Sequence, residues 1–397
     1  MPVYLAPGVY VEEVRGTPPI AGVGTSTAAF IGVVDNTGTF QMPLVAGSDT
    51  VRETIAVVDK AVLVTNFEQF KKKFGDFQTG NRTLAHAVFG FFLNGGSRCY
   101  VVRVADITSV TAALAELAKI DEVAIIAAPG ARGEATQEAI IDNCELLQDR
   151  FAVLDGQVTT TIDVASIQGA TKDSNYAALY FPQLQVVDQT LVPVTGENIE
   201  KWKPAPNARI LLPPSGHIAG IYARVDEERG VHKAPANETV RGALNLEYLV
   251  THNEQKGLNP DGVNVIRGFD GNLKVWGART LGGNANGEFK YISTRRLMNF
   301  LRESIDEGTQ FVVFEPNNPA LWERIKRAVT AFLTNVWRDG ALFGLTPEEA
   351  FFVKCDETTN PSEVRELGQV VTEIGVAIVK PAEFVIFRIS QITGPGA

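Results

Sequence analysis

Between Val123 and Phe181 short apolar runs alternate with helical patterns, and this rhythm limits the possible folds more than any other feature. Val123–Ala128 reads as a strand, Thr136–Asp149 as a helix, Phe151–Asp155 as a strand, Ile162–Gln168 as a short helix and Ala177–Phe181 as a strand. Parallel neighbours need a crossover between them, so strands spaced by helices imply βαβ units around a mainly parallel sheet. Upstream, Ser26–Val34 and Arg98–Val104 read as strands. Asn66–Phe74 and Thr83–Leu93 read as helices, stopped by Gly75 and by Asn94-Gly95-Gly96. Residues 25–205 are therefore expected to form an outer α/β domain, with proline-rich loops from Pro182 to Pro214.

Residues 1–24 read as an arm. Val9 and Val11 alternate with Tyr10 and Glu12 at strand period, but Pro7-Gly8 precedes them and Pro18-Pro19 follows. A lone strand between breakers must pair with a distant sheet of its own chain or with another chain. Residues 206–397 read as a second, mixed α+β region. Its expected elements are a helix Ser215–Glu228 capped by Ser215, and a hairpin Val263–Phe269 and Leu273–Trp276 about Asp270-Gly271. A helix Tyr291–Glu307 closed by Gly308, a strand Phe311–Phe314 and a long helix Pro319–Asp339 follow. Asn360-Pro361 should open a helix to Ile374, and Val376–Val379 and Phe384–Ile389 should close the chain as strands.

Composition narrows the function. The 397 residues are 45% apolar and 21% charged, enough for a sizeable core, and carry a net charge of −10. An acidic chain lacks the basic stripe that phosphates require, so no nucleic-acid partner is expected. The apolar runs are too short to span a bilayer, and Met1-Pro2-Val3-Tyr4 does not begin a signal peptide. Assembly in the cytoplasm without direct membrane insertion is the expectation. Cys99, Cys144 and Cys355 lack metal or disulfide spacing and read as buried thiols. The four histidines show no ligand pairing, so no metal is expected.

Three segments invite a chemical reading. Gly22-Val23-Gly24-Thr25-Ser26 lacks the GK[ST] ending of a phosphate loop and leads into a strand. Gly282-Gly283-Asn284-Ala285-Asn286-Gly287 reads as a connecting loop. Ser215-Gly216-His217 is no nucleophile elbow. No nucleophile, base and orienter assemble, so no catalytic, cofactor-binding or metal residue is assigned and no cofactor is expected. The alternative is a Rossmann-like enzyme over 25–205 with a C-terminal assembly module. Only Pro129-Gly130-Ala131-Arg132-Gly133 follows the strand at Val123–Ala128, however, in place of a glycine fingerprint. A tube or capsid-like shell protein is a third class.

Several segments together resemble the contractile tail sheath family. They are Leu5-Ala6-Pro7-Gly8-Val9-Tyr10-Val11-Glu12-Glu13, Pro213-Pro214-Ser215-Gly216-His217-Ile218-Ala219-Gly220 and Arg229-Gly230-Val231-His232-Lys233-Ala234-Pro235-Ala236-Asn237. Val275-Trp276-Gly277-Ala278-Arg279-Thr280-Leu281, Tyr291-Ile292-Ser293-Thr294-Arg295-Arg296-Leu297 and Glu307-Gly308-Thr309-Gln310-Phe311-Val312-Val313-Phe314-Glu315-Pro316-Asn317 complete the set. The match is densest beyond residue 210 and looser over 25–205. The resemblance implies a non-enzymatic subunit that polymerises helically, as stacked hexameric rings, around an inner tube. It implies contraction that drives the tube through a target membrane, with baseplate and terminal cap proteins as further partners. The particle would be a phage tail, a tailocin or an injection system released from the cell.

The resemblance also implies that swapped strands join neighbouring subunits. The chain ends fit this independently: Val9, Tyr10, Val11 and Glu12 at one end, and Phe384, Val385, Ile386, Phe387, Arg388 and Ile389 at the other. For tube contact the expected residues are Arg324, Arg327 and Arg338. At about 100° per residue they share one face of helix Pro319–Asp339, away from Leu321, Ile325, Val329, Phe332 and Val336. The rival surface is the helix expected over Pro361–Ile374, with Glu363, Glu366 and Glu373 exposed opposite Val364, Leu367, Val371 and Ile374.

Overall fold

A computed structural model describes residues 19–48, 50–193, 202–204 and 207–388. It divides into two compact units. The larger comprises Val23–Glu303 with Ile378–Ala397, and the smaller Met1–Gly22 with Ser304–Ala377.

The larger unit is built on one eight-stranded sheet. Its strands are β1 (Ala28–Val33), β2 (Ala61–Val64), β3 (Cys99–Val104), β4 (Ile125–Ala127), β5 (Phe151–Asp155) and β6 (Ala177–Phe181), then β12 (Val263–Phe269) and β13 (Asn272–Val275). The order is β13-β12-β6-β5-β4-β1-β3-β2, parallel throughout except for the antiparallel edges β2 and β13. Every residue of β5 is buried, and its side chains alternate between two cores. Phe151 and Val153 join one, Ala152 and Leu154 the other. This double burial explains why the parallel strands read as unbroken apolar runs.

Helices α1 (Phe67–Phe74), α2 (Arg82–Asn94) and α6 (Ser215–Arg229) contribute to the first core, and α3 (Thr111–Leu117) and α4 (Glu134–Leu147) to the second. Asn66 caps α1 by accepting from Gln69 N at 2.9 Å, and Gly75 ends the helix at φ +82°. The crossing of α2 on α6 is set by glycine. A Cβ on Gly216 would lie 2.5 Å from the Ala87 carbonyl oxygen, and one on Gly220 2.4 Å from that of Phe91. Helix α5 (Val164–Gln168), the strands β7 (Leu184–Val187), β8 (Leu191–Pro193), β9 (Trp202–Pro204), β10 (Arg209–Leu212) and β11 (Ala243–Leu246), and helix α7 (His252–Leu258) complete this unit.

The smaller unit carries α9 (Pro319–Arg338), α10 (Pro347–Ala350), β14 (Phe351–Lys354), α11 (Ser362–Glu366) and β15 (Glu373–Val376). The chain reaches it through α8 (Ile292–Thr309).

Several expectations need correction. The boundary at 205/206 cuts the main sheet, because β12 pairs in parallel with β6. The segment 182–214 is not all loop, since β7 pairs with β10 and with β11 in a three-stranded sheet. Gly308 lies inside α8, where a Cβ would meet Ile20 Cγ2 at 2.5 Å. Its missing side chain makes room for the chain that follows residue 18. Phe311–Phe314 is not a strand: Gln310–Val312 is a 3₁₀ turn, and Phe314 turns the backbone at φ +67°.

The helix expected from Pro361 to Ile374 stops at Glu366, and Gly368 follows in a left-handed conformation at φ +71°. Asn360 then holds the returning chain extended, donating to Val371 O at 3.0 Å and accepting from Val371 N at 2.6 Å. Glu363 and Glu366 thus lie on a five-residue helix, while Glu373 and Ile374 lie on β15. The closing strands also differ. Val376 ends β15, and Phe384–Arg388 belongs to no strand. Cys99, Cys144 and Cys355 are buried free thiols.

Candidate assembly interface

In the smaller unit, Asn318 accepts from Leu321 N at 3.0 Å and Pro319 takes the first turn, so α9 starts where its sequence signals place it. Leu321, Ile325, Val329, Phe332 and Val336 are all buried. Arg327 and Arg338 lie exposed on another face, with no ion pair among the described residues. Arg324 sits beside them, 3.4 Å from a Glu315 carboxylate oxygen and 5.3 Å from the centre of the Phe311 ring.

Among the described residues β14 and β15 pair only with each other, so each has one edge free of strand neighbours. A two-stranded ribbon is marginal alone, and open edges invite further strands. The same unit also exposes apolar side chains, Phe314, Phe343, Leu345, Phe352 and Leu367. Phe314 is bare of contacts despite a left-handed backbone that bulky residues avoid.

In the larger unit, Glu383 fixes the last described stretch. Its carboxylate accepts from Arg279 Nε and Nη2, each at 2.8 Å, from Asn259 Nδ2 at 2.7 Å and from Tyr291 Oη at 2.9 Å. Burial pushes the Glu383 carboxyl up, but the bonds from Arg279, Asn259 and Tyr291 outweigh it and hold the carboxyl below its ordinary value. Burial and the same carboxylate push Tyr291 up to about 12. One residue later the chain is bare: Phe384, Val385, Ile386 and Phe387 are between 69% and 83% exposed.

A second buried cluster secures the start of this unit. Arg296 Nη1 and Nη2 donate to Asp226 at 2.9 and 2.6 Å, Thr25 Oγ1 donates to Asp226 at 2.6 Å, and Arg296 also reaches Thr25 O at 2.9 Å. Gly22–Ser26 is therefore tied down at Thr25. The Gly282–Gly287 segment spends its donors internally, Gly282 N on Asp261 O and Gly283 N on Thr280 O.

Ser215 does not cap α6; Pro214 holds that position, and Ser215 donates through N and Oγ to the buried Asp155 at 2.9 and 2.8 Å. Burial raises the Asp155 carboxyl and draws the His217 imidazole down to about 4. Two positions apart on a helix, Ser215 and His217 face different ways. A crevice of about 820 Å³ lies past the carboxyl ends of β1 and β4, lined among others by Gly32, Gly130, Arg82 and Arg132. Arg82 is engaged by Asp188, and Arg132 by Gly156 O and Gln183.

This chain matches the phage tail sheath protein central domain over residues 102–281 and the phage tail sheath C-terminal domain over residues 284–392. It belongs to the phage tail sheath family. The tail sheath protein of Vibrio phage KVP40 is 29% identical over 180 residues, covering 44% of this chain and 25% of that protein. The sheath of an extracellular contractile injection system, solved in its contracted state as the PVC sheath complex, is 29% identical. It has a TM-score of 0.76 over 98% of this chain and 99% of that one. A chain of the anti-feeding prophage baseplate is 28% identical, with a TM-score of 0.74 over 98% and 100%. The matches span 25% and 63% of the length of the first two curated relatives. The mixed α/β fold is that of contractile sheath structures, and the enzyme alternative has no support among these relatives.

Set against this sheath fold, the expected site residues divide. Val9, Tyr10, Val11, Glu12 and Ile389 lie outside the described residues. Phe384, Val385, Ile386, Phe387 and Arg388 are described, exposed and unpaired in any sheet. Arg324, Arg327 and Arg338 share α9. Sequence reasoning missed Glu383, Arg279 and Tyr291. The one available signal was that Arg279 and Tyr291 both fall in segments carrying the family resemblance.

Proposed function

We infer that this chain is the structural subunit of a contractile sheath, polymerising helically around an inner tube and contracting to drive that tube through a target membrane. The observation that carries this reading is the change at Glu383, from a carboxylate with four donors to an exposed apolar run within one residue. Such a run gains from adding to a neighbour's sheet. The open edges of β14 and β15 in a second copy are suitable acceptors. Each main-chain bond nets about 0.5–1.5 kcal/mol, so several per junction can keep the lattice connected while subunits rotate. Val9, Tyr10, Val11 and Glu12 make the equivalent link at the other end.

The surface cations Arg324, Arg327 and Arg338 suit carboxylates on a tube subunit. Exposed ion pairs contribute only about 0–1 kcal/mol each, weak enough to break during contraction. The other partners in this reading are further copies of the chain in stacked hexameric rings, baseplate proteins and a terminal cap. Assembly takes place in the cytoplasm, and the product is a phage-tail-like particle that acts outside the cell. Contraction draws on energy stored in the extended lattice, so extended sheath should contract without ATP. Deleting residues 2–14 should leave soluble protein that forms no sheaths by negative-stain microscopy; ribbed cylinders of normal length from that truncation would overturn strand exchange at the N-terminus.

A further inference from the structure

We propose that Glu383 is the positioning residue of the C-terminal linker, fixing where the exchanged strand leaves its own subunit and passing tension from it into the sheet. This rests on the reading that Phe384–Arg388 joins a neighbouring copy.

The socket is built from residues that lie 92, 104 and 124 positions upstream of Glu383. Arg279 follows the edge strand β13, and its backbone N–H donates to Asn264 Oδ1 at 2.8 Å, within β12. Its guanidinium grips both oxygens of Glu383 and also donates to Asn259 O at 3.0 Å and Asn284 Oδ1 at 3.1 Å. Tyr291, paired with Arg279 in an isolated bridge at the foot of α8, supplies a third donor to Glu383, and Asn259 a fourth. A carboxylate has about four acceptor sites, and all four are used here. The guanidinium is 5% exposed and the Glu383 side chain 18%.

Fastening the chain end alone would not require so complete a site directly before an exposed apolar run. The four-residue apolar run beyond it has no cover in its own subunit among the described residues. A pull on that run reaches Glu383 first. From there Arg279 passes it to β12 through Asn264, and Tyr291 passes it to the start of α8. The linker's reach is then counted from Glu383 and not from the end of β15.

Three changes in the full chain test this. Glu383→Ala should leave the protein folded by circular dichroism, speed exchange of the hydrogen-bonded amides of Arg279, Thr280 and Ile292 by roughly tenfold or more, and cut sheath length and yield at least about tenfold. Inserting Gly-Gly after Glu383 keeps the socket but lengthens the linker, and should impair assembly as strongly. The same insertion between Lys380 and Pro381 leaves the exit point in place and should be tolerated. Equal effects from the two insertions would reduce Glu383 to a structural fastening and overturn the proposal, as would normal sheaths from Glu383→Ala. Deleting residues 384–397 separates the two levels. If that deletion assembles normally, the linker reading itself fails; if it abolishes assembly while Glu383→Ala does not, only the socket's role fails. Should Glu383→Ala misfold, Glu383→Gln keeps the shape of the side chain and removes the charge that grips Arg279. It should then show the same exchange pattern at smaller amplitude, and wild-type exchange would overturn the proposal.

Discussion

Replacing Gly216 by alanine puts a methyl group where α6 crosses α2. The new Cβ would lie 2.5 Å from the Ala87 carbonyl oxygen, 2.6 Å from its Cα and 2.7 Å from its Cβ. None of these is the end of a flexible side chain, so relief requires the helices to part by roughly 1 Å to reach ordinary contact. That movement also loosens the contacts of Gly220 with Phe91 and of Gly90 with His217 along the same crossing. Overpacking this close to backbone belongs to the upper part of the usual cost, about 2–3 kcal/mol. Alanine returns about 1 kcal/mol through helix propensity. The net expectation is a loss of about 1–2 kcal/mol, or a Tm lower by roughly 2–8 °C at the 2–4 °C per kcal/mol of a large domain. Gly257 is the control. It is also helical, in α7, but a methyl group there would meet nothing within 4 Å. Gly257→Ala should therefore raise Tm by gaining propensity alone. Thermal and urea unfolding of unassembled protein measure both. A Gly216→Ala variant as stable as the parent, or the same sign for both substitutions, would refute close helix packing as the role of Gly216.

Charge reversal at Arg324 and Arg327 together should leave monomer stability within about 1 kcal/mol, because Arg324 has only an exposed pair with Glu315 and Arg327 none among the described residues. Co-sedimentation with tube should weaken, most clearly at low salt; unchanged recovery would remove α9 as the tube-facing surface. A pH series tests the socket at Glu383, which faces Arg279, Tyr291 and the uncharged Asn259. Its carboxyl is depressed in the fold, so its contribution is present above the unfolded value of about 4.3 and is lost as pH falls through the folded value. Exchange of the Arg279, Thr280 and Ile292 amides, corrected for intrinsic rate, should stay flat from neutral pH to about 5 and rise below about 4. Glu383→Gln should abolish that rise, and a rise of equal size in the variant would assign it elsewhere.

Much of the larger unit was legible in the sequence because its parallel strands are buried on both faces. Phe151–Asp155 and Ala177–Phe181 were bounded correctly to the residue. What escaped lacks a local signal. β2 is four residues at the sheet edge and half exposed, and α3 begins at Val110 with no side-chain cap. At Asn360-Pro361 the local signal for a helix start was sound only in part, since Pro361, with no side-chain hydrogen bond, takes the cap position expected of Asn360. It was overridden by Gly368 and by the Asn360 bonds to Val371, eleven residues on. Pairing β12 with β6 required contacts across more than eighty residues, and so the sequence boundary fell inside a sheet. Glu383 was illegible for the same reason. Its partners lie at 259, 279 and 291, and nothing near residue 383 announces them.

The segments that carry the family resemblance acquire a physical meaning once placed in the fold. Pro213–Gly220 begins α6, seats Ser215 on Asp155 and brings Gly216 and Gly220 against α2. Val275–Leu281 ends the hairpin and presents Arg279 to Glu383. Tyr291–Leu297 opens α8, gives Tyr291 to the same carboxylate, and buries Arg296 against Asp226 and Thr25. Breaking a buried, hydrogen-bonded pair such as Arg296–Asp226 by removing one partner costs about 3–5 kcal/mol, far more than any exposed pair on α9. The strong polar contacts thus hold the chain at Thr25 and at Glu383, near the two ends of the described residues, while the α9 cations proposed to face a tube make only exposed contacts. In the proposed sheath, a subunit that kept its neighbours while releasing a tube would need this ordering of strengths: firm where the proposed linkers are rooted and weak where the moving parts slide.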